Sequence, residues 1–214
     1  MNESTMINKI IKRSCKEIFP VDVFQKGSSR VYLDDNGYYF TMIEFQPYSL
    51  KKGTFLNIGL SFLFGNTDYL SFSYAYNNNT RVGREFIEFR DERQFENEIQ
   101  EYIERASQYI LKYRMFQDIN HAKNYMIKEL DDSNWNPYIK SMFCFLAEDR
   151  MNGEKYYHMF LKDPFFKNII TRDNYPTEPE KINKEYVLDR IREQRFFWRT
   201  KSTMKKMKTF EDYS

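Results

Sequence analysis

Four polar side chains are spaced to meet on one face of a β-hairpin. Glu44 and Gln46 close one apolar stretch, Asn57 lies inside the next, and Arg81 follows further along. Side chains alternate along a strand, so Glu44 and Gln46 share a face, as do Asn57 and Ser61. A carboxylate, two amides and a guanidinium form a hydrogen-bonding set suited to recognition. An asparagine between apolar neighbours must find polar partners if buried. Glu44, Gln46, Asn57 and Arg81 are therefore the ligand-binding candidates. The plainer alternative is a wet sheet face, which antiparallel sheets commonly have.

A second constellation lies near the C-terminus. Between Asp189 and Lys208 stand eight basic side chains against two acidic ones, with Phe196, Phe197 and Trp198 inserted. Basic residues interleaved with aromatics suit an acidic partner, nucleic acid or docking within the chain. Arg192, Arg195, Trp198, Arg199 and Lys205 are the partner-binding candidates. Carboxylates are dense from Glu85 to Glu104, with arginines between them. A solvated helix face carrying i, i+4 pairs accounts for them. A hydrolase using Glu44 or this acidic stretch is a further alternative.

Other chemistry lacks its residues. His121 and His158 stand alone, without a metal-ligand spacing. The seven glycines form no phosphate cradle, and no nucleophile elbow or dinucleotide fingerprint occurs. No metal or cofactor is expected. Cys15 and Cys144 sit in apolar contexts and read as buried small hydrophobes.

The elements that must position these residues follow from periodicity. Residues 3–19 carry Ile7, Ile10, Ile11, Cys15 and Ile18 on one helical face, and Pro20 stops them. Asn36-Gly37 marks a tight hairpin. Strands are expected within 21–33, at 38–46 and 55–64, and again at 69–76 and 84–89. Asp91 with Gln94 forms a capping box opening a long helix that runs through Tyr113. Helices are expected after Asp118, after Asn136-Pro137, over 154–162 past a break at Asn152-Gly153, and from about 178 to 205. Residues 165–176 read as irregular. The expected fold is α+β: an antiparallel β-meander of about five strands packed by an N-terminal helix, then a mainly helical C-terminal half. Residues 1–115 form the sheet domain and 116–214 a helical extension packed on it.

Three short motifs stand together in the first half: Ile43-Glu-Phe-Gln46, Gly53-Thr-Phe-Leu-Asn-Ile-Gly59 and Arg81-Val-Gly83. Over residues 5–115 the chain resembles a family of uncharacterised bacterial domains, catalogued as a domain of unknown function. Its members share a strand ending in Phe-Gln, a following strand bearing glycine, phenylalanine and asparagine, and an Arg-Ile/Val-Gly element. The resemblance implies an α+β fold and brings no catalytic residues. Some small domains of this sort resemble immunity or accessory proteins.

Composition bounds the rest. The 214 residues are 41% apolar and 18% aromatic, enough for an aromatic-rich core. The formal charge of +2 gives no long-range pull on polyanions. No secretion signal is expected, and the apolar runs fall short of the ~20 residues that cross a bilayer. The expectation is a cytoplasmic, non-enzymatic module that binds another protein. Nucleic acid is the weaker partner, and no membrane is involved.

Overall fold

The computed structural model describes residues 2–65, 67–83, 85–172, 175–201, 204 and 207. Its architecture is α+β, with a five-stranded antiparallel sheet in the order β1-β2-β3-β4-β5. The first helix, α1 (Glu3–Ile18), is capped by Asn2, whose side chain accepts the Thr5 N–H. The strands are β1 (Phe24–Gln25), β2 (Val31–Asp35), β3 (Tyr39–Gln46), β4 (Gly53–Phe62) and β5 (Ile87–Glu88). Helices α2 (Glu92–Arg114), α3 (Ile119–Glu129), α4 (Asn136–Leu146), α5 (Arg150–Lys162), α6 (Lys167–Arg172) and α7 (Lys184–Thr200) follow. Among the described residues no helix is long and apolar enough to cross a membrane.

Two units form. One gathers Met1–Phe62, Tyr69–Arg114 and Trp198–Ser214, and the other Leu63–Asp68 and Met115–Phe197. In the first, the β3–β4 pair is the centre. Ile43 lies opposite Ile58, Thr41 opposite Leu60 and Phe45 opposite Leu56. Directly opposed residues share a face, so these build one apolar layer. The other layer holds Phe40 with Ser61, Met42 with Gly59, Glu44 with Asn57, and Gln46 with Phe55. It is not a wet face: Phe40, Met42, Asn57 and Ser61 are all buried. Only its Glu44–Gln46 end reaches solvent.

Helix α2 starts at the expected box. The Gln94 N–H donates to Asp91 Oδ1 at 2.9 Å, and Gln94 Nε2 reaches back to the Glu88 carbonyl at 3.0 Å. Phe95, Ile99, Ile103, Ala106, Ile110 and Tyr113 form its buried stripe. The Tyr39 hydroxyl donates to the Tyr113 carbonyl at 2.6 Å, joining β3 to the end of this helix. Arg13 of α1 pairs with Glu96 of α2.

Several expected elements differ. Residues 69–76 alternate but form no strand. They contribute a single bridge, Tyr74 to Leu60, before a short 3-10 turn at Tyr76–Asn78. Asn77 and Asn78 take φ of 55° and 52°, and this left-handed pair turns the chain away from the ladder. The last strand shrinks to Ile87–Glu88. Gly153 does not end a helix. It lies inside α5, where a Cβ would stand 2.8 Å from Phe145 Cε1, so glycine lets α4 and α5 approach. Residues 164–172 form a 3-10 turn and α6. The final helix begins at Lys184, with Asn183 Oδ1 accepting the Tyr186 N–H, whereas Pro179 opens a separate 3-10 turn.

Gly59 is the tightest point of the central strand pair. A Cβ there would lie 2.7 Å from the Tyr74 carbonyl oxygen and 2.8 Å from Phe72 Cδ1. The backbone oxygen is held by the Leu60 N–H at 2.7 Å and cannot swing aside cheaply. Gly59→Val is expected to lower unfolding free energy by about 2–3 kcal/mol through overpacking. Gly65→Val, where nothing among the described residues lies within 4 Å of an added Cβ, is the matched control. Urea midpoints check this, and equal midpoints for the two variants would refute it.

Candidate functional site

The end of β3 and the start of β4 bring all four ligand-binding candidates together. Register places Glu44 opposite Asn57 and Gln46 opposite Phe55. The segment around Arg81 runs alongside β4: the Ile58 N–H donates to the Thr80 carbonyl at 2.7 Å, and the Val82 N–H to the Leu56 carbonyl at 2.8 Å. Arg81 thereby bridges Asn57 and puts its side chain on their shared face. Asn79 Oδ1 accepts the Arg81 N–H at 3.0 Å and fixes the approach.

The hydrogen bonds converge on Gln46. Its Oε1 accepts from Arg81 Nη2 at 3.1 Å and from Asn57 Nδ2 at 3.2 Å. The Asn57 amide also lies 3.4 Å from Glu44 Oε2. Asn57 is only 3% exposed, so these bonds answer its burial. The Arg81 guanidinium lies 3.8 Å from the centre of the Phe55 ring, a cation–π contact. Its Nη1 is buried without a hydrogen-bond partner among the described residues. Burial pulls the Arg81 pKa below the ordinary arginine value, with the Glu44 charge opposing. The group still carries its charge at neutral pH.

An aromatic shelf adjoins this cluster. Phe86 lies 5.0 Å from Phe55, and Tyr48 lies 6.1 Å from Phe55 and 5.9 Å from Phe86, all edge-to-face. Tyr48 is 43% exposed and Leu50, on the same loop, 79%. Lys51 and Glu88 form an exposed pair at 3.6 Å. Sequence reasoning placed Phe55 in a strand and passed over Tyr48, Leu50 and Phe86. The usable signal was Pro47-Tyr48 opening a loop between two aromatic-rich strands.

The cluster holds one carboxylate and neither a serine, cysteine nor histidine. Its chemistry is hydrogen bonding, charge and stacking. On α2, Glu98 pairs with Arg90 and Glu101 with Arg105, as a solvated helix face would. Among the described residues no group of three histidine, cysteine, aspartate or glutamate side chains could hold a metal. Both cysteines are buried, and burial pushes the Cys144 thiol up to about 12.

The C-terminal candidates fall in different environments. Arg192 donates to Glu185 at 2.5 Å and to Asp189 at 2.7 Å, on its own helix. Arg195 is 2% exposed and Trp198 4%. Lys26 Nζ stands 5.6 Å over the Trp198 ring. Arg199 is exposed, as is Phe196. Lys205 lies outside the described residues. This helix therefore does not present a continuous basic and aromatic face. Comparison of the chain with protein-family models, with curated proteins and with solved structures finds no match.

Proposed function

We propose that the chain is a non-enzymatic binding module for another protein, of the accessory or immunity type. In this reading the corner formed by β3, β4 and the Arg81 segment is its contact surface. One observation carries it: the shelf of exposed Tyr48 and half-buried Phe55 and Phe86, with exposed Leu50 on the Tyr48 loop and the Arg81 guanidinium over the Phe55 ring. Tyrosine, phenylalanine and arginine are the side chains that interfaces concentrate, because they bring large area at little entropy cost. The buried Arg195 and the self-paired Arg192 favour this reading over nucleic acid.

A photo-reactive benzoyl-phenylalanine replacing Leu50, irradiated in the native host, tests the proposal. A discrete cross-linked partner is expected from position 50, absent from the same group replacing Lys9 on α1, and lost on adding Arg81→Gln. The same cross-linking pattern from both positions would defeat it.

A further inference from the structure

Gln46 occupies an unusual place. Its exposed amide is the neutral acceptor between two donors, Arg81 Nη2 at 3.1 Å and Asn57 Nδ2 at 3.2 Å. Both donors are held from behind. Asn57 is buried in β4, and Arg81 is clamped against Phe55. None of the three Arg81 guanidinium nitrogens lies within ion-pair distance of a carboxylate among the described residues; Glu44 favours the charge from further off and accepts from Asn57 instead. A guanidinium taken partly out of water gains most from a charged acceptor. The position of Gln46 Oε1 therefore marks where an external carboxylate oxygen would be bound more strongly than the amide it replaces.

We propose that the corner recognises an acidic side chain, aspartate or glutamate, flanked by an aromatic or large apolar residue in an exposed segment of the partner. This rests on the protein-binding reading above and supplies the partner's chemistry. The partner's carboxylate displaces the flexible Gln46 amide and takes both donors. Its apolar neighbour lies on Tyr48, Phe55 and Phe86. An internal acidic residue fits better than a chain terminus, which is usually captured by free backbone N–H groups. Here three of the nearby N–H groups are committed: Ile58 to Thr80, Val82 to Leu56 and Arg81 to Asn79.

Two capped dipeptides, N-acetyl-Phe-Glu-amide and N-acetyl-Phe-Gln-amide, test this on the full chain by nitrogen-15 NMR titration. The glutamate peptide is expected to shift the Gln46 and Asn57 side-chain amides and the Arg81 Nε–H saturably. The glutamine peptide should bind about tenfold more weakly or worse, the worth of a charge-assisted hydrogen bond. Gln46→Glu supplies its own carboxylate to Arg81, so the variant should keep its fold and lose the glutamate peptide. Equal affinity for the two peptides would overturn carboxylate recognition while leaving the shelf as a contact surface. Undiminished binding to Gln46→Glu would overturn the displacement of Gln46. No shift at the corner with either peptide would overturn both this inference and the surface it rests on.

Discussion

Between pH 8 and pH 11 the protein is expected to lose about 10 kcal/mol of folding stability, enough to unfold it. Cys15 and Cys144 are buried, and burial pushes both thiols above the ordinary cysteine value of 9.0. Tyr32, Tyr39, Tyr138 and Tyr157 are likewise raised above 10.0, burial being the first cause for each. Cys15 and Tyr32 face one another, and the Cys15 thiol adds to the rise at Tyr32. The folded chain thus keeps protons that the unfolded chain releases. The stabilisation is fully present below pH 9 and is lost as pH rises toward the folded values. Each group costs about 1.4 kcal/mol per pH unit above its unfolded pKa. At pH 11 two thiols and four phenols together reach about 10 kcal/mol. Urea midpoints followed by circular dichroism across this range check the slope. Tyrosinate absorbance should rise in step with loss of structure. Replacing both cysteines with alanine should move the onset from near pH 9 toward pH 10. A midpoint flat through pH 10.5 would contradict the linkage.

The strand pair and the long helix were legible because each carries one dominant signal. Period-two alternation over Leu56–Phe62 gives the strand, although both of its faces are buried, and helical spacing from Phe95 to Tyr113 matches the buried stripe of α2. The meeting of Glu44, Gln46, Asn57 and Arg81 was legible for a related reason. Hairpin register puts Glu44 opposite Asn57, and one bridge brings in Arg81. The shelf was not legible, because Tyr48 and Phe86, 38 positions apart, reach Phe55 from a loop and from the approach to β5. Residues 69–76 mislead because alternation describes a strand only where a partner edge is free. Much of the β4 edge is instead taken by backbone groups of Thr80 and Val82, and Asn77 turns left-handed. Gly153 misleads in the opposite direction. Glycine commonly breaks a helix, yet here it admits the Phe145 ring. The basic run near the C-terminus shows the limit of counting charge. Burial of Arg195 and the pairing of Arg192 are tertiary facts that composition does not carry.

Arg114→Met is expected to destabilise the protein by about 3–5 kcal/mol, the cost of stranding a buried charge. Arg114 is the last residue of α2 and grips Asp34 with both arms: Nε to Oδ2 at 3.0 Å and Nη2 to Oδ1 at 2.7 Å. The Asp34 carboxylate raises the Arg114 pKa, chiefly through this hydrogen bond. The aspartate side chain is 2% exposed, and its other support is the Asn36 amide, 3.0 Å from Oδ2. Asn36 also holds the β2–β3 turn by donating to the Asp34 carbonyl at 3.0 Å. The pair therefore ties the C-terminal end of α2, where a cation also suits the helix dipole, to the hairpin that starts β3. With Arg114 gone, the buried Asp34 carboxylate loses its cation and keeps only the Asn36 amide. Combining Arg114→Met with Asp34→Leu removes both charges and should recover most of the loss, as apolar replacement of a buried ion pair often does. Chemical denaturation of the wild type, both single variants and the double variant gives the coupling directly. A single Arg114→Met variant within about 1 kcal/mol of wild type would show that the pair is a surface interaction in energetic terms, whatever its geometry.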